Sequence, residues 1–256
     1  MLIQETLWGR QDKVKIAVDR MQSFVPAEGY YLAFSGGKDS VVIYQLALMA
    51  GVRFDAHYNV TTVDPPELTR FIKDHYPDVL WNRPEMSMFQ LILKVQFWPP
   101  MRQQRWCCEI LKEKGGDGRI VLTGIRWEES NKRRSRRMIE PCYKDVTKTY
   151  FHPIIDWSTR DVWEFIDLYS LPYCKLYDMG FHRLGCILCP YRSNPKRDIE
   201  QWPKFAKAYI RTFDRLLLVR AAQGKETSFR TGQEFFDWWI RRNTKRKSRD
   251  QLVLDI

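Results

Sequence analysis

The sequence predicts an α/β protein built around a parallel β-sheet, and three observations lead to this class. Residues 30–34 form a short apolar run that stops at Ser35, and residues 40–50 then carry apolar side chains at helical spacing. Residues 52–58 alternate as a second strand, and residues 65–75 can form the next helix. Strands that alternate with helices along a chain pair in parallel, with helices on both faces of the sheet.

The remaining elements extend this pattern towards a helical C-terminal portion. Further strands are predicted at residues 79–81 and 119–123, and further helices at residues 87–97, 105–114, 158–169, 199–223 and 233–240. The predicted organisation is a helical segment over residues 1–28, one α/β domain over residues 29–195 and a helical, basic portion over residues 196–256.

Composition narrows the class of protein. The chain has 256 residues and a formal net charge of +11, which favours polyanionic partners such as nucleotides or nucleic acids. No stretch is long and apolar enough to predict a membrane span, so we expect a cytoplasmic protein with no membrane partner. The chain has six cysteines and four of them form two tight pairs, which favours metal or redox chemistry over disulfides.

The turn at residues 35–40 predicts a phosphate site. Gly36 and Gly37 let the backbone present N–H groups to an anion beside the positive end of a helix, while Ser35, Lys38 and Ser40 add donors. An ordinary strand-to-helix turn is the alternative interpretation. The string has neither the spacing of a P-loop nor that of a dinucleotide fingerprint, so neither ordinary phosphoryl transfer nor a dinucleotide cofactor is indicated.

Four segments together resemble one family. Residues 35–40 read SGGKDS, residues 123–130 fit TGxRxxES, residues 153–163 fit PIxDW followed by DVW, and residues 176–180 fit LYDxG. This order resembles the adenylyl-sulfate and phosphoadenylyl-sulfate (PAPS) reductase-like branch of the PP-loop ATP pyrophosphatase superfamily. The resemblance implies an adenine nucleotide alpha-hydrolase-like fold that binds ATP or an adenylyl nucleotide.

The resemblance also implies roles for individual residues. Lys38, Asp39 and Arg126 are the implied catalytic residues. The implied nucleotide-binding residues are Ser35, Gly36, Gly37, Lys38, Asp39, Ser40, Asn59, Thr61, Gly124 and Arg126. Mg²⁺ is expected with ATP; Asp64 and Glu67 can bind it, although solvated loop carboxylates are the preferred interpretation of both.

Cys107, Cys108, Cys186 and Cys189 supply the four thiolates that either a zinc site or a [4Fe–4S] cluster requires. Adjacent cysteines reach one tetrahedral ion with strain, which favours a cluster, with zinc as the alternative. The resemblance implies the same choice, because iron–sulfur adenylyl-sulfate reductases carry a CC pair and a GCxxC pair. Packing is the preferred interpretation of Cys142 and Cys174.

One departure from the reductases redirects the prediction. Their nucleophilic cysteine lies in a C-terminal motif, and no cysteine follows Cys189 in this sequence. The sequence is closest in character to sulfur-transfer members, such as those of DNA phosphorothioation. These imply ATP cleavage to AMP and pyrophosphate, a cysteine desulfurase as sulfur donor and DNA or RNA as acceptor.

A basic run directly after the TGxRxxES segment is the candidate contact for nucleic acid. It contains Lys132, Arg133, Arg134, Arg136 and Arg137. A second basic run, over residues 241–249, is interpreted as a solvated face or tail. Aromatic residues such as Trp98 and Trp238 can stack on bases, although core packing is the better interpretation for most of them.

Two alternative functions stay open at this point. The first is an adenylyl-sulfate or PAPS reductase-like enzyme that uses Cys174 or a partner thiol. The second is a non-catalytic module that senses a nucleotide or the redox state of the cluster. A homo-oligomer is compatible with any of these functions.

Overall fold

The computed structural model describes residues 2–6, 9–96, 98–143, 145–192, 194–225 and 227–244. The second basic run therefore continues outside the described residues from residue 245 onwards. The chain divides into two compact units. Unit 1 comprises Met1–Val60, Pro66–Asn82 and Lys114–Leu184, and unit 2 comprises Thr61–Pro65, Arg83–Glu113 and Gly185–Ile256.

Strands and helices alternate through the first two thirds of the chain, and helices follow. The strands are β1 (Ile3–Thr6), β2 (Gly9–Asp12), β3 (Tyr30–Ala33), β4 (Phe54–Asn59), β5 (Leu80–Asn82), β6 (Ile120–Leu122), β7 (Ile139–Pro141) and β8 (Thr149–Phe151). The helices are α1 (Lys13–Ser23), α2 (Lys38–Met49), α3 (Pro66–His75), α4 (Met88–Leu91), α5 (Trp106–Leu111), α6 (Asn131–Arg134), α7 (Thr159–Leu168), α8 (Pro195–Gln201), α9 (Pro203–Ala222) and α10 (Gly232–Thr244). A π-helical turn at Ile92–Gln96 continues α4, and a 3₁₀ turn at Trp127–Glu129 precedes α6.

Unit 1 is built on a six-stranded sheet in the order β5-β4-β3-β6-β8-β7. Neighbouring strands are parallel except at the edge, where β7 runs antiparallel to β8. The sheet is therefore mixed, whereas the sequence predicts a parallel one. The short β7 segment lacks the alternation of a half-buried strand, so the sequence gives little indication of this edge.

Strand β3 lies inside this sheet between β4 and β6, and Tyr30, Tyr31 and Leu32 are buried. Because successive side chains point to opposite faces of the sheet, both faces of β3 are covered, which explains its continuous apolar pattern. The chain leaves β3 at its carboxyl end and enters α2. That connection is the loop predicted to bind phosphate.

The N-terminal segment differs from the predicted helical segment over residues 1–28. Strands β1 and β2 form an antiparallel hairpin before α1 begins. Gly9 has φ +102°, a conformation that glycine adopts most readily, at the start of β2. The β2 residues are all exposed, so the hairpin lacks the alternating apolar pattern that identifies a strand.

Unit 2 contains α8, α9 and α10, with a core of aromatic side chains. Tyr209, Phe213, Phe235 and Trp239 are at most 1% exposed. The single helix predicted over residues 199–223 is interrupted between α8 and α9. Because proline lacks the N–H of a helical residue and restricts the residue before it, the break falls at Trp202 and Pro203.

No helix in the described part of the chain combines the length and the apolar character that crossing a bilayer requires.

Candidate functional site

The predicted phosphate loop joins the end of β3 to the start of α2. Gly36 has φ +68°, in the left-handed region that favours glycine. A Cβ at Gly36 would lie 2.7 Å from Leu68 Cδ1 and 2.8 Å from Ile72 Cδ1. A larger residue would therefore be strained in conformation and crowded by α3.

Two serine hydroxyls hold the loop against the first turn of α2. Ser40 Oγ donates to the Gly37 carbonyl over 2.8 Å and lies 3.2 Å from both the backbone nitrogen and the hydroxyl of Ser35. The loop is thus fixed from both of its ends. A fixed loop at a helix N-terminus is the arrangement that binds phosphate in other proteins.

Tyr177 contributes a contact to which the sequence assigns no role. The backbone N–H of Lys38 donates to the Tyr177 hydroxyl over 2.9 Å, at the first residue of α2. Burial raises the pKa of Tyr177 above its ordinary value, so the hydroxyl stays protonated. Tyr177 lies in the LYDxG segment, whose match to the family is its only indication in the sequence.

Asp39 accepts two charged donors in the first turn of α2. Lys38 Nζ lies 2.8 Å from Oδ2 and Arg126 Nε lies 2.8 Å from Oδ1. Asp39 does not cap the helix, because the N-cap residue is Gly37 and no side chain caps it. The three predicted catalytic residues Lys38, Asp39 and Arg126 therefore lie together.

Arg126 is 1% exposed and makes further contacts within unit 1. Its Nη1 lies 3.3 Å from Glu128 Oε2, from the Trp157 carbonyl and from Thr159 Oγ1. The guanidinium is therefore locked in place by several acceptors. A buried cation needs such partners to offset its lost hydration.

Gly124 brings the TGxRxxES segment against α2. A Cβ at Gly124 would lie 2.7 Å from the Cβ of Asp39 and 3.0 Å from its backbone carbon. The neighbouring atoms are backbone and Cβ, which cannot rotate away. This close approach explains the glycine and places Arg126 beside Asp39.

Other predicted nucleotide ligands have different surroundings. Asn59 Nδ2 donates to the Lys114 carbonyl over 2.9 Å, and Asn59 Oδ1 accepts from Asn82. Thr61 belongs to unit 2, where its hydroxyl lies 3.4 Å from Cys186 Sγ. Asp64 is only 8% exposed and accepts from the Thr61 N–H over 2.7 Å, so the solvated interpretation of Asp64 is wrong.

The four paired cysteines all lie in unit 2 and are half-buried. The turn that carries Cys186 and Cys189 contains Leu188 at φ +56°. The Leu188 N–H donates to the buried carboxylate of Asp198 over 2.8 Å, and Arg192 Nε contacts the same oxygen over 3.1 Å. Asp198 therefore holds the turn in an uncommon backbone conformation.

The thiols influence one another electrostatically. A hydrogen bond from Cys107, assisted by Arg105, lowers the pKa of Cys108 to about 5, whereas the same bond and burial raise the pKa of Cys107. Burial raises the pKa of Cys186. The pKa of Lys112 is raised, chiefly by its electrostatic interaction with Cys186. The thiols therefore share one electrostatic environment.

The donor set fits a Cys₄ group in its chemistry, because four sulfur ligands serve either zinc or an iron–sulfur cluster. The arrangement is not that of a formed metal site: among the described residues, no three His, Cys, Asp or Glu side chains are grouped to hold one ion. The identity of the group stays a prediction.

The first basic run lies in unit 1 beside the 3₁₀ turn. Arg133 is paired with Glu129, and Arg136 is paired with Glu140. Lys132, Arg134 and Arg137 are exposed. Part of the positive charge of this run is therefore neutralised within the protein.

The mixed sheet, with a glycine loop between β3 and α2, defines the class: an α/β protein with a candidate nucleotide site. The chain belongs to the phosphoadenosine phosphosulfate reductase domain family, which residues 29–192 match. Members of this family bind ATP or other adenine nucleotides. The predicted PAPS reductase-like family is confirmed by this match, and the predicted α/β class agrees with the observed strands and helices.

Individual relatives differ in their named activities. An uncharacterized protein of Methanocaldococcus jannaschii is 31% identical over 172 residues, which are 62% of this chain and 35% of that protein. Adenosine 5'-phosphosulfate reductase of Bacillus cereus is 25% identical over 51% of this chain and 58% of its own. A protein of Caenorhabditis elegans named Probable FAD synthase is 27% identical over 66% of this chain and 31% of its own. The chain thus spans less than two thirds of each of these relatives.

Two solved structures show a partial likeness to this chain. PAPS reductase from Candida auris, in a phosphate complex, has a TM-score of 0.48 and 17% identity, and the match covers 69% of this chain and 88% of that chain. FMN adenylyltransferase from Candida glabrata, in complex with FAD and pyrophosphate, has a TM-score of 0.48 and 14% identity over 68% of this chain and 61% of that chain.

Proposed function

We propose that this chain is an ATP pyrophosphatase-type enzyme that cleaves ATP to AMP and pyrophosphate and supports sulfur transfer to a nucleic acid. The observation that supports the proposal is the loop between β3 and α2. Gly36 is in the left-handed conformation, α2 begins directly after Gly37, and Lys38 and Arg126 both contact Asp39. These features combine a fixed anion-binding loop with two cations.

In the proposed reaction, an oxygen of the acceptor attacks the α-phosphorus of ATP, and pyrophosphate leaves. Mg²⁺ bound with ATP would offset the negative charge of the phosphates. This step makes the acceptor oxygen a good leaving group. The terminal sulfur of a persulfide on a cysteine desulfurase then displaces AMP. The acceptor is then joined to the desulfurase cysteine through an S–S bond. A second thiol attacks the cysteine sulfur of that bond, so the sulfurated product leaves and a disulfide remains on the desulfurase.

The chain's own residues bind and orient the nucleotide in this proposal. The loop N–H groups and the hydroxyls of Ser35 and Ser40 hold phosphate oxygens. Lys38 and Arg126 offset negative charge, and Asp39 fixes the position of both cations.

Cys107, Cys108, Cys186 and Cys189 are the residues that would hold a [4Fe–4S] cluster, or a zinc ion. A bound cluster would supply electron transfer or structural support. The turn held by Asp198 would orient Cys186 and Cys189 towards it.

The named relatives support an adenylyl nucleotide as ligand, since adenosine 5'-phosphosulfate and FAD both contain an adenylyl group. The reductase alternative requires a reactive thiol. Cys174, its candidate in this chain, is 0% exposed, and burial raises its pKa, which disfavours the thiolate. These two properties disfavour the reductase relative to the proposed function.

Release of pyrophosphate from ATP tests the proposal. Anaerobically reconstituted protein is incubated with ATP and Mg²⁺, with nucleic acid plus cysteine desulfurase, with FMN, or with no acceptor. Pyrophosphate that depends on nucleic acid and desulfurase, and that falls at least tenfold in Ser35→Ala but not in the control Ser23→Ala at the exposed end of α1, supports the proposal. Pyrophosphate that depends on FMN alone would instead indicate an FMN adenylyltransferase. Thiol-dependent sulfite from adenylyl sulfate, without pyrophosphate from ATP, would instead identify a reductase.

A further inference from the structure

A groove in unit 2 has the features of a site for a single nucleobase. It lies between the start of α10 and the segment before it, with a volume of about 410 Å³, which is within the usual range of about 300–1,000 Å³ for small-molecule sites. Its lining includes Phe229, Arg230, Glu234, Asp237, Trp238 and Arg241. None of these residues belongs to the candidate nucleotide site or to the cysteine pairs.

Two aromatic rings form the apolar walls of this groove. The ring centroids of Phe229 and Trp238 are 5.2 Å apart with an interplanar angle of 55°, and both residues are half-buried. Phe229 stacks on the fully buried Phe235 at 4.5 Å, and Trp238 packs against Trp98 at 5.6 Å. The rings are therefore held by the core, while part of each side chain stays accessible to solvent.

Polar groups of both signs surround the rings. Arg230 and Arg241 are exposed, and the Arg242 guanidinium lies 5.3 Å from the ring centroid of Trp238. Glu234 Oε2 accepts from the backbone N–H of Arg230 over 2.8 Å, and Asp237 Oδ1 accepts from Gln233 Nε2 over 2.9 Å. The carboxylates offer acceptors for amino groups on a base edge, and the arginines suit phosphates.

The charge of the surrounding helices favours a polyanion. Residues 203–244 contain nine Lys or Arg against four Asp or Glu, and residues 245–249 add four more basic residues to the sequence. An accessible aromatic pair within a basic segment is the combination that single-stranded nucleic acid binders use. A duplex, with its bases stacked inside, does not offer a base to such a groove.

We propose that this groove binds one unstacked base of a single-stranded nucleic acid, with Trp238 and Phe229 as the stacking surface and Arg230 and Arg241 on the flanking phosphates. The inference rests on the proposed function in taking nucleic acid as the substrate. It adds two points: the groove in unit 2 binds the nucleic acid, and the nucleic acid is single-stranded there.

Binding of a fluorescently labelled single-stranded oligonucleotide, compared with an abasic strand of the same length, tests the stacking. We expect the wild-type protein to bind the base-containing strand roughly 5- to 150-fold more tightly. Trp238→Ala should remove that preference, and Trp238→Phe should keep most of it. The comparison between strands needs only the wild-type chain, so it decides the base preference even if Trp238→Ala does not fold.

A charge-matched pair of variants locates the contact. Arg230→Gln with Arg241→Gln should reduce the slope of log affinity against log salt by about 1.4. Lys204→Gln with Lys207→Gln, two exposed residues of α9 that do not line the groove, should reduce the slope by much less than the arginine pair and leave the base preference unchanged.

Equal wild-type affinity for the two strands, or no binding of either, would overturn the inference. It would also be overturned if the lysine pair had the same effect as the arginine pair. Pyrophosphate release is measured separately. If the protein does not cleave ATP but keeps a base preference that depends on Trp238, the proposed reaction is wrong and the proposed groove is still supported. A chain that cleaves ATP without base preference refutes the groove alone.

Discussion

The guanidinium of Arg126 is fixed against the carboxylate of Asp39, with Nε 2.8 Å from Oδ1. Arg126 is 1% exposed and the Asp39 side chain is 21% exposed. The pair joins the segment after β6 to the first turn of α2. Loss of this pair should therefore affect both the stability of unit 1 and the geometry of the candidate nucleotide site.

Asp39→Asn should destabilise the protein by about 1.5–3 kcal/mol, because it removes the nearer of the two carboxylates that offset the charge of the buried Arg126 and leaves only Glu128 at 3.3 Å. Chemical denaturation measures this change. The control is Asp19→Asn, which breaks the exposed Lys15–Asp19 pair and should cost about 0–1 kcal/mol. Equal effects of the two substitutions would show that the Arg126–Asp39 pair contributes no more than a surface pair.

Gly36→Ala should destabilise the protein by about 1–3 kcal/mol and weaken ATP binding at least tenfold, because it adds a crowded Cβ at φ +68°. Gly51 is the matched control: its φ is +62°, and a Cβ there meets nothing within 4 Å. Gly51→Ala should cost only about 1 kcal/mol and leave ATP affinity unchanged. Thermal unfolding and calorimetric ATP titration separate the two effects, and weakened ATP binding in both variants would contradict the local explanation.

His152 should make the protein sensitive to acid. Burial lowers its pKa from 6.5 to about 4 in the folded chain, so between these values the unfolded state binds a proton that the folded state does not. The free energy of unfolding should therefore fall as the pH drops from about 6.5 to about 4, by up to about 3 kcal/mol from this residue.

Urea denaturation at several pH values measures the contribution of His152. His152→Asn should flatten the dependence in this window, whereas His75→Asn, at an exposed position, should leave it as in the wild type. An unchanged pH profile in His152→Asn would show that other groups cause the acid sensitivity.

Replacement of the paired cysteines should abolish iron binding if the proposed cluster is correct. Cys107→Ala and Cys189→Ala should each lower the iron and sulfide content of reconstituted protein at least several-fold. Cys142→Ala, at a buried position outside the pairs, should keep both contents at the wild-type level. Stoichiometric zinc without sulfide in the wild type would favour the alternative metal.

Much of unit 1 follows from local sequence. The β3–loop–α2 connection, α3 and the Ser158-capped α7 agree with the predicted elements, because each combines an apolar period with a proline, glycine or serine at its boundary. The grouping of Lys38, Asp39 and Arg126 also agrees with the family motifs.

Other features depend on contacts between distant segments. The Tyr177 hydroxyl reaches Lys38 across 139 positions of sequence, and Thr61 reaches Cys186 across 125. A local sequence pattern cannot predict contacts between residues so far apart in the chain. The interruption before Pro203 is different: the proline was visible in the sequence, but the apolar spacing on both sides predicts one continuous helix.

The bond at which ATP is cleaved distinguishes an ATP pyrophosphatase from an enzyme that transfers the γ-phosphate. ATP labelled at the γ-phosphate is incubated with the reconstituted protein, Mg²⁺ and each acceptor, and the labelled products are separated by chromatography. Cleavage between the α and β phosphates predicts label in pyrophosphate, and strong reduction of that label in Ser35→Ala. An equal amount of AMP is expected only where nucleic acid and cysteine desulfurase allow sulfur to displace it. Label in orthophosphate, or in intact ATP with every acceptor, would contradict the proposed ATP pyrophosphatase activity.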